Sequence, residues 1–151
     1  MKQGMLLAVA LVAVGCGPAQ STSVPVKGSD VSVLLLAGKW VGTYEGIESG
    51  RKGVIQFDLS QGSTYAEGKV IMNADDPAKA TSVPIKFVEA AEKGMVKGAI
   101  GPYLEPQLKV QVETEFIGAR RGDVISGTFT TRAVGATDKG QTGKWKVTKQ
   151  R

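Results

Sequence analysis

Eight segments of the chain have the character of β-strands, and the connections between them are too short for crossover helices. Each segment is rich in Val, Ile, Thr or aromatic residues and is bounded by turn-forming residues such as Gly, Pro, Asp and Ser. Consecutive strands with such short connections pair as antiparallel neighbours. The predicted strands cover residues 39–47, 53–60, 64–73, 81–88, 94–101, 107–117, 123–131 and 143–149.

Apolar and polar residues alternate along several of these segments. In residues 107–117 one face carries Leu108, Val110, Val112, Thr114 and Phe116. One dry face and one wet face are typical of antiparallel strands around a single core. Because closing the meander removes both exposed edges, we predict an all-β fold with a single eight-stranded antiparallel meander barrel. A two-sheet β-sandwich is the alternative.

Glycines alternate with large residues on the predicted inner faces, as in Trp40, Gly42 and Tyr44. These glycines either let the strands coil tightly or hollow out a ligand cavity. A cavity of about 300 Å³ or more would indicate ligand binding, whereas a packed interior would indicate a structural role. A bound ligand would contact the aromatic residues predicted to face inward: Trp40, Tyr44, Phe57, Phe87, Phe116, Phe129 and Trp145.

Gly38-Lys39-Trp40 opens the first predicted strand, after a short helical turn that Ser29 and Asp30 would cap. This tripeptide resembles the G-x-W opening of lipocalins and their calycin relatives. The resemblance implies a barrel in which the tryptophan closes the floor beneath a cup for a small apolar molecule. It covers three residues, and the threonine-aspartate-tyrosine motif of lipocalins is absent. Two core tryptophans after turn glycines explain the same residues, since Gly143-Lys144-Trp145 repeats the tripeptide.

Residues 1–15 have the pattern of an export signal. MKQG is a short, positively charged lead, and residues 5–14 (MLLAVALVAV) form a run of ten apolar residues, a length that suits the core of a signal peptide. As a helix this run would be about 15 Å long, about half the hydrocarbon thickness of a bilayer, and therefore too short to span it.

The signal ends at Cys16, the only cysteine in the chain. Ala13-Val14-Gly15-Cys16 resembles a lipobox, the signature of bacterial lipoproteins, although Ala13 stands where that family usually has leucine. The resemblance implies a covalent diacylglycerol and acyl anchor on Cys16, and we predict no other cofactor. Cleavage at the same bond by an ordinary signal peptidase would instead leave a soluble protein with a free thiol. An incidental buried cysteine is a third interpretation.

The predicted organisation has three parts: a lipoprotein signal peptide at 1–15, a lipid-anchored flexible tether at 16–30 and a β-barrel domain at 31–151. The tether is rich in Pro, Ser and Gly and would reach about 20 Å. Since two or three acyl chains hold a protein on a membrane durably, we expect the membrane as a partner and the bacterial cell envelope as the location. Gly17 follows the cysteine, and the lipoprotein sorting rule of enteric bacteria then implies the periplasmic face of the outer membrane.

The composition excludes several functions. Without the signal the chain has 18 basic and 14 acidic residues, a net charge of +4, which is too weakly basic to predict a nucleic-acid partner. There is no histidine, so a Ser-His-Asp arrangement is not possible. Acylation of Cys16 would remove the only thiol nucleophile and the only cysteine sulfur that could bind zinc. We therefore predict no enzymatic activity, no catalytic residue and no metal site. The carboxylates considered fall on wet faces or in turns, where burial would not raise their pKa values: Asp58, Glu113, Glu115, Asp75, Asp76 and Asp123.

Two functions remain ahead of a distant third, a carboxylate-dependent hydrolase. The barrel is either a binding module for a small apolar ligand or an envelope structural or assembly protein whose filled barrel contacts a protein partner through its loops. The connection Pro102-Tyr103-Leu104-Glu105-Pro106 places two large apolar residues between prolines. It would serve as a partner contact or as a lid over the barrel mouth.

Overall fold

The computed structural model describes residues 22–151, so the predicted signal peptide, Cys16 and the first part of the predicted tether lie outside the described residues. The described chain is an all-β closed barrel of nine strands with little helix. Within residues 22–151 no helix combines the length and the apolar character needed to cross a bilayer. The elements are β1 Ser23–Gly28, α1 Asp30–Leu36, β2 Gly38–Gly46, β3 Lys52–Leu59, β4 Tyr65–Met72, β5 Thr81–Ala90, a 3₁₀-helix Glu92–Gly94, β6 Met95–Leu104, β7 Gln111–Arg121, β8 Val124–Ala133 and β9 Gln141–Lys149.

Strands β2 to β9 form an antiparallel meander. Each strand pairs with the next along the chain, and β9 pairs back with β2. These strands correspond in order to the predicted segments, because short connections leave sequential strands no partner but their neighbours. The prediction of an all-β barrel is confirmed, and the sandwich alternative is wrong because the sheet closes on itself.

The prediction of eight strands, all antiparallel, is wrong because β1 is a ninth strand. It runs antiparallel to β4 and parallel to β5. Strands β4 and β5 pair directly only from the Lys69–Pro84 pair to the connection that joins the two strands. Over the rest of their length β1 lies between them and buries Val24 and Val26 in the core. These residues fall within the predicted tether, where two valines among Ser and Pro were too weak a pattern to indicate a strand.

Helix α1 covers one end of the barrel. The Ser29 side chain accepts a hydrogen bond from the Ser32 backbone N–H at 3.2 Å, the capping arrangement predicted for this serine. Leu36, at the end of the helix, is buried in the core. Among residues 22–151 no helix lies at the other end, where the strands are joined by turns and loops. We call the two ends the closed end and the open end.

Aromatic residues of the barrel wall lie directly opposite glycines on neighbouring strands. A Cβ added to Gly98 would lie 2.2 Å from the Phe116 ring, so the ring occupies the space that a side chain would take. This packing favours the structural interpretation of the glycines, in which they make room for large rings. The cross-strand pairs are Tyr44–Gly53, Phe57–Gly68, Phe116–Gly98, Phe129–Gly143 and Trp145–Gly127.

Candidate functional site: the barrel cavity

The barrel contains a cavity of about 140 Å³. At the closed end it is bounded by Leu36 and Trp40, which are 2% and 0% exposed. At the open end its lining includes the exposed residues Ser49 and Gln141, so the cavity opens to solvent there. The volume is below the roughly 300 Å³ of pockets for drug-sized ligands. It is close to the roughly 150 Å³ of a dry protein cavity that takes up benzene.

Trp40 closes the floor of the cavity. Its indole N–H donates a hydrogen bond to the Leu36 backbone carbonyl at 2.8 Å. The Lys149 ammonium, from the end of β9, lies 5.7 Å from the centre of the Trp40 ring, within reach of a cation–π interaction. The helix, the first strand of the meander and the last strand therefore meet at this one side chain.

Aromatic rings form much of the cavity wall. Tyr44 and Phe129 pack edge to face with ring centres 5.8 Å apart, and Phe116 packs in the same way on Trp145 at 5.7 Å. Such pairs stabilise the fold by about 1 kcal/mol beyond the area they bury. Six of the seven aromatic residues predicted to face inward line the cavity: Trp40, Tyr44, Phe57, Phe116, Phe129 and Trp145.

Phe87 is the exception, and the structure places it outside the cavity lining. The pairing of β5 with β6 shifts by one residue between Ile85 and Phe87. After this bulge the buried residues of β5 are Val88 and Ala90, so Phe87 lies on the other face of the strand, with the Lys27 ammonium 5.6 Å from its ring centre. A bulge reverses the alternation on which the prediction depended.

An ion pair spans the open end. The Arg51 guanidinium lies 3.1 Å from a Glu105 carboxylate oxygen. Arg51 directly precedes β3 and Glu105 directly follows β6, two strands that β4 and β5 separate in the barrel. The other Glu105 oxygen accepts hydrogen bonds from the backbone N–H groups of Gln107, at 2.8 Å, and Leu108. Glu105 is 4% exposed, so its charge is compensated by protein groups rather than by water.

Two tyrosines add polar groups near this ion pair. Burial is the main cause that raises the pKa of the Tyr44 phenol to about 12; Tyr103 and Glu105 contribute to the increase, and Arg51 opposes it. Burial likewise raises the pKa of Tyr103. The Tyr103 hydroxyl lies 3.4 Å from that of Thr114, which in turn lies 2.7 Å from the Thr131 hydroxyl. Because their pKa values are raised, both phenols are protonated at neutral pH.

Sequence reasoning missed the pairing of Arg51 with Glu105. The sequence predicts that Glu105 lies in a connection that exposes Tyr103 and Leu104. Leu104 is 52% exposed, as expected, but β6 continues to this residue and Tyr103 lines the cavity. The sequence does contain a signal for this pairing, because the Glu105 carboxylate directly follows two large apolar residues. A carboxylate is rarely buried without a partner, so burial of this stretch would predict a nearby cation.

The predicted inner face of residues 107–117 is also wrong at its start. Leu108 and Val110 are 55% and 42% exposed because β7 begins only at Gln111. The carboxylate of Glu105 holds the preceding residues in a turn by accepting their backbone N–H groups. From Val112 onward the predicted alternation is observed.

In the part of the chain from residue 22 onward, no group of three or more His, Cys, Asp or Glu side chains is placed to hold a metal ion. No protein-family model, curated protein or solved structure matches the chain. The function therefore has to be inferred from the cavity itself.

Proposed function

We propose that this chain is an exported, lipid-anchored envelope protein whose barrel binds a small apolar ligand. The observation that carries the proposal is the cavity of about 140 Å³ between the aromatic rings of the wall. An enclosed apolar cavity of about this size takes up small apolar molecules, and the lining of this cavity is apolar toward its closed end. Its volume limits the ligand to about the size of a single aromatic ring or a short alkyl chain, smaller than the ligand expected from the 300 Å³ criterion.

The calycin-like character of the barrel belongs to the same proposal. It is supported by the meander of β2 to β9 and by the position of Trp40, which opens the meander and closes the cavity floor. The inserted strand β1 is a departure from the predicted pattern. No catalytic residue and no cofactor other than the acyl anchor are assigned.

The anchor on Cys16 is supported by the sequence of the export signal. Only residues 17–22 separate Cys16 from β1, and six residues span at most about 20 Å when extended. A barrel tethered in this way stays next to the membrane surface. We place it in the bacterial cell envelope, on the periplasmic face of the outer membrane where there are two membranes.

Native mass spectrometry of the protein extracted from cell membranes tests both parts of the proposal. We expect a covalent mass of diacylglycerol and fatty acid on the mature chain, together with a smaller non-covalent adduct of constant mass. The Cys16→Ser variant serves as the control and should appear in the soluble fraction. If the variant stays in the membrane pellet, the anchor is wrong. If the protein from several expression hosts carries no adduct, the binding function is contradicted.

A second candidate function, contact with an envelope protein, is favoured by one observation. Exposed apolar side chains surround the open end, at the ends of β2, β6 and β8 and in the β6–β7 connection. Such patches on a soluble surface often mark protein contacts. A bare chain in the mass spectrum, combined with loss of a cross-linked partner when this apolar rim is made polar, would favour the assembly function. The apolar rim consists of Ile47, Leu104, Leu108, Val110 and Val134.

A further inference from the structure

Polar groups lie at one end of an otherwise apolar cavity. The floor and middle are lined by aliphatic and aromatic side chains. Near the mouth the lining includes the Arg51 guanidinium, the Glu105 carboxylate and the Tyr44 phenol. A ligand that fills this cavity would therefore have an apolar body at the closed end and a polar group at the open end.

The protein uses most of the hydrogen-bonding capacity of the Glu105 carboxylate. One oxygen faces Arg51 and the other accepts two backbone N–H groups, which is three of about four acceptor positions. The carboxylate also holds the turn that precedes β7. The remaining acceptor position is on the oxygen that faces the Arg51 guanidinium, where a cationic head group would be repelled, so the carboxylate is a poor site for a cation.

The hydrogen-bond donors at the mouth of the cavity have more capacity left over by the protein than the Glu105 carboxylate has. A guanidinium carries five N–H donors, and among residues 22–151 the contact of the Arg51 guanidinium with protein oxygen is the one with Glu105. The Tyr44 hydroxyl has no hydrogen-bond partner in the same part of the chain. Arg51 and Tyr44 therefore offer free donors to an incoming group, and Tyr44 keeps its proton at neutral pH.

We propose that Arg51 and Tyr44 form a donor subsite for the uncharged polar head of a small amphiphile, an alcohol, ketone or ester. This inference rests on the proposed binding function and names its ligand class. We expect the head to accept hydrogen bonds, because the Arg51 guanidinium can only donate and Tyr44 keeps a proton to donate. We expect it to be uncharged, because Arg51 is already paired with Glu105 and a further ion would have no opposite charge of its own at the mouth.

Titration with four probes of matched size tests the head group. The mature protein is titrated with 1-hexanol, hexanoate, hexylammonium and benzene at neutral pH, and binding is followed through the fluorescence of Trp40 and Trp145, which both line the cavity. We expect 1-hexanol to bind at least about tenfold more tightly than either ion. Tighter binding of hexanoate or hexylammonium than of 1-hexanol would overturn the inference.

Two variants with the same chemical change locate the subsite. Tyr44→Phe removes one hydroxyl at the cavity mouth, and Tyr65→Phe removes one from the outer wall, where Tyr65 is 62% exposed. We expect Tyr44→Phe to weaken 1-hexanol binding about three- to tenfold and to leave benzene binding unchanged. Tyr65→Phe should change neither. Equal 1-hexanol affinity in the wild type and Tyr44→Phe would contradict the assignment.

The outcomes separate this inference from the proposed function. If benzene binds and 1-hexanol binds no better in the wild type than in Tyr44→Phe, the cavity binds ligands but the donor subsite is wrong. If neither benzene nor 1-hexanol binds, both the subsite and the binding function are overturned. Arg51→Lys keeps the charge opposite Glu105 but loses the planar array of donors, and we expect it to weaken 1-hexanol binding while melting close to the wild type.

Discussion

At the closed end of the barrel, helix α1 places Leu36 against the fully buried Trp40, whose indole N–H donates to the Leu36 carbonyl. At the open end, the Arg51–Glu105 ion pair and two tyrosines lie beside loops, and no helix covers them within residues 22–151. Apolar burial stabilises the first region, whereas charge compensation organises the second. We infer that the closed end maintains the fold. A conformational change at the open end costs less folding free energy, as a binding site requires.

The largest effect is expected from removing the floor of the cavity. Trp40→Ala deletes a fully buried indole together with its hydrogen bond to Leu36, and should lower the free energy of unfolding by about 3–5 kcal/mol. Trp40→Phe is the control, because it keeps a ring and loses mainly the hydrogen bond. Urea denaturation measures both variants. A loss below about 1 kcal/mol for Trp40→Ala would contradict the structural role of the closed end.

A smaller effect is expected in the wall between the two ends. In Gly98→Ala the new methyl group would meet the Phe116 ring and the Phe87 backbone carbonyl, which should cost about 1–3 kcal/mol. The displaced ring would also narrow the cavity and weaken benzene binding. Gly68→Ala changes another of these pairs, but a Cβ there would lie 3.3 Å from the Phe57 ring and no closer than 3.0 Å to any side-chain atom, so we expect it to cost less. A loss in Gly98→Ala no greater than that in Gly68→Ala in urea would contradict the close packing of Phe116 on Gly98.

The ion pair at the open end should contribute about 1–2 kcal/mol, because Arg51 is partly exposed and solvent weakens the pairing. Arg51→Gln leaves the Glu105 carboxylate buried with only backbone donors, and Glu105→Gln removes the charge that compensates Arg51. We expect the double variant to lose less stability than the sum of the two single variants in a double-mutant cycle. Additive losses would show that the pair is not coupled.

The smallest expected effect is a pH dependence of the local stability of the open end. The Glu48 carboxylate accepts hydrogen bonds from the Thr142 backbone N–H, at 2.8 Å, and the Thr142 hydroxyl, at 3.0 Å. These bonds hold the pKa of Glu48 below its usual value of 4.5. The stabilisation is therefore complete above this value and is lost as the pH falls through the lower pKa of the folded state.

Hydrogen exchange measures whether the stability of the open end depends on pH more strongly than that of the closed end. Acidification from about pH 5 to about pH 3 should reduce the protection of the Thr142 amide relative to the Trp40 indole N–H at the closed end, once exchange chemistry is corrected for pH. Glu48→Gln should remove the pH dependence. A parallel change at both ends would indicate global destabilisation instead.

The two ends also differ in how far the sequence predicts them. Trp40, the capping Ser29 and the strands of the meander follow from local patterns, such as alternation and turn residues, that depend on neighbouring residues in the chain. The Arg51–Glu105 pair joins residues far apart in sequence and exists only once the barrel closes. Strand β1 and the bulge before Phe87 were missed for a related reason, since tertiary packing decided them over weak or contrary local patterns.

The most direct test of a hollow barrel with one open end is a crystal structure determined in the presence of 1-hexanol. The account predicts electron density for the alkyl chain inside the cavity, against the Phe116 and Phe129 rings that line it, with the hydroxyl oxygen about 3 Å from Tyr44 or Arg51. Rings that close into this space and leave no cavity, with 1-hexanol absent, would contradict it.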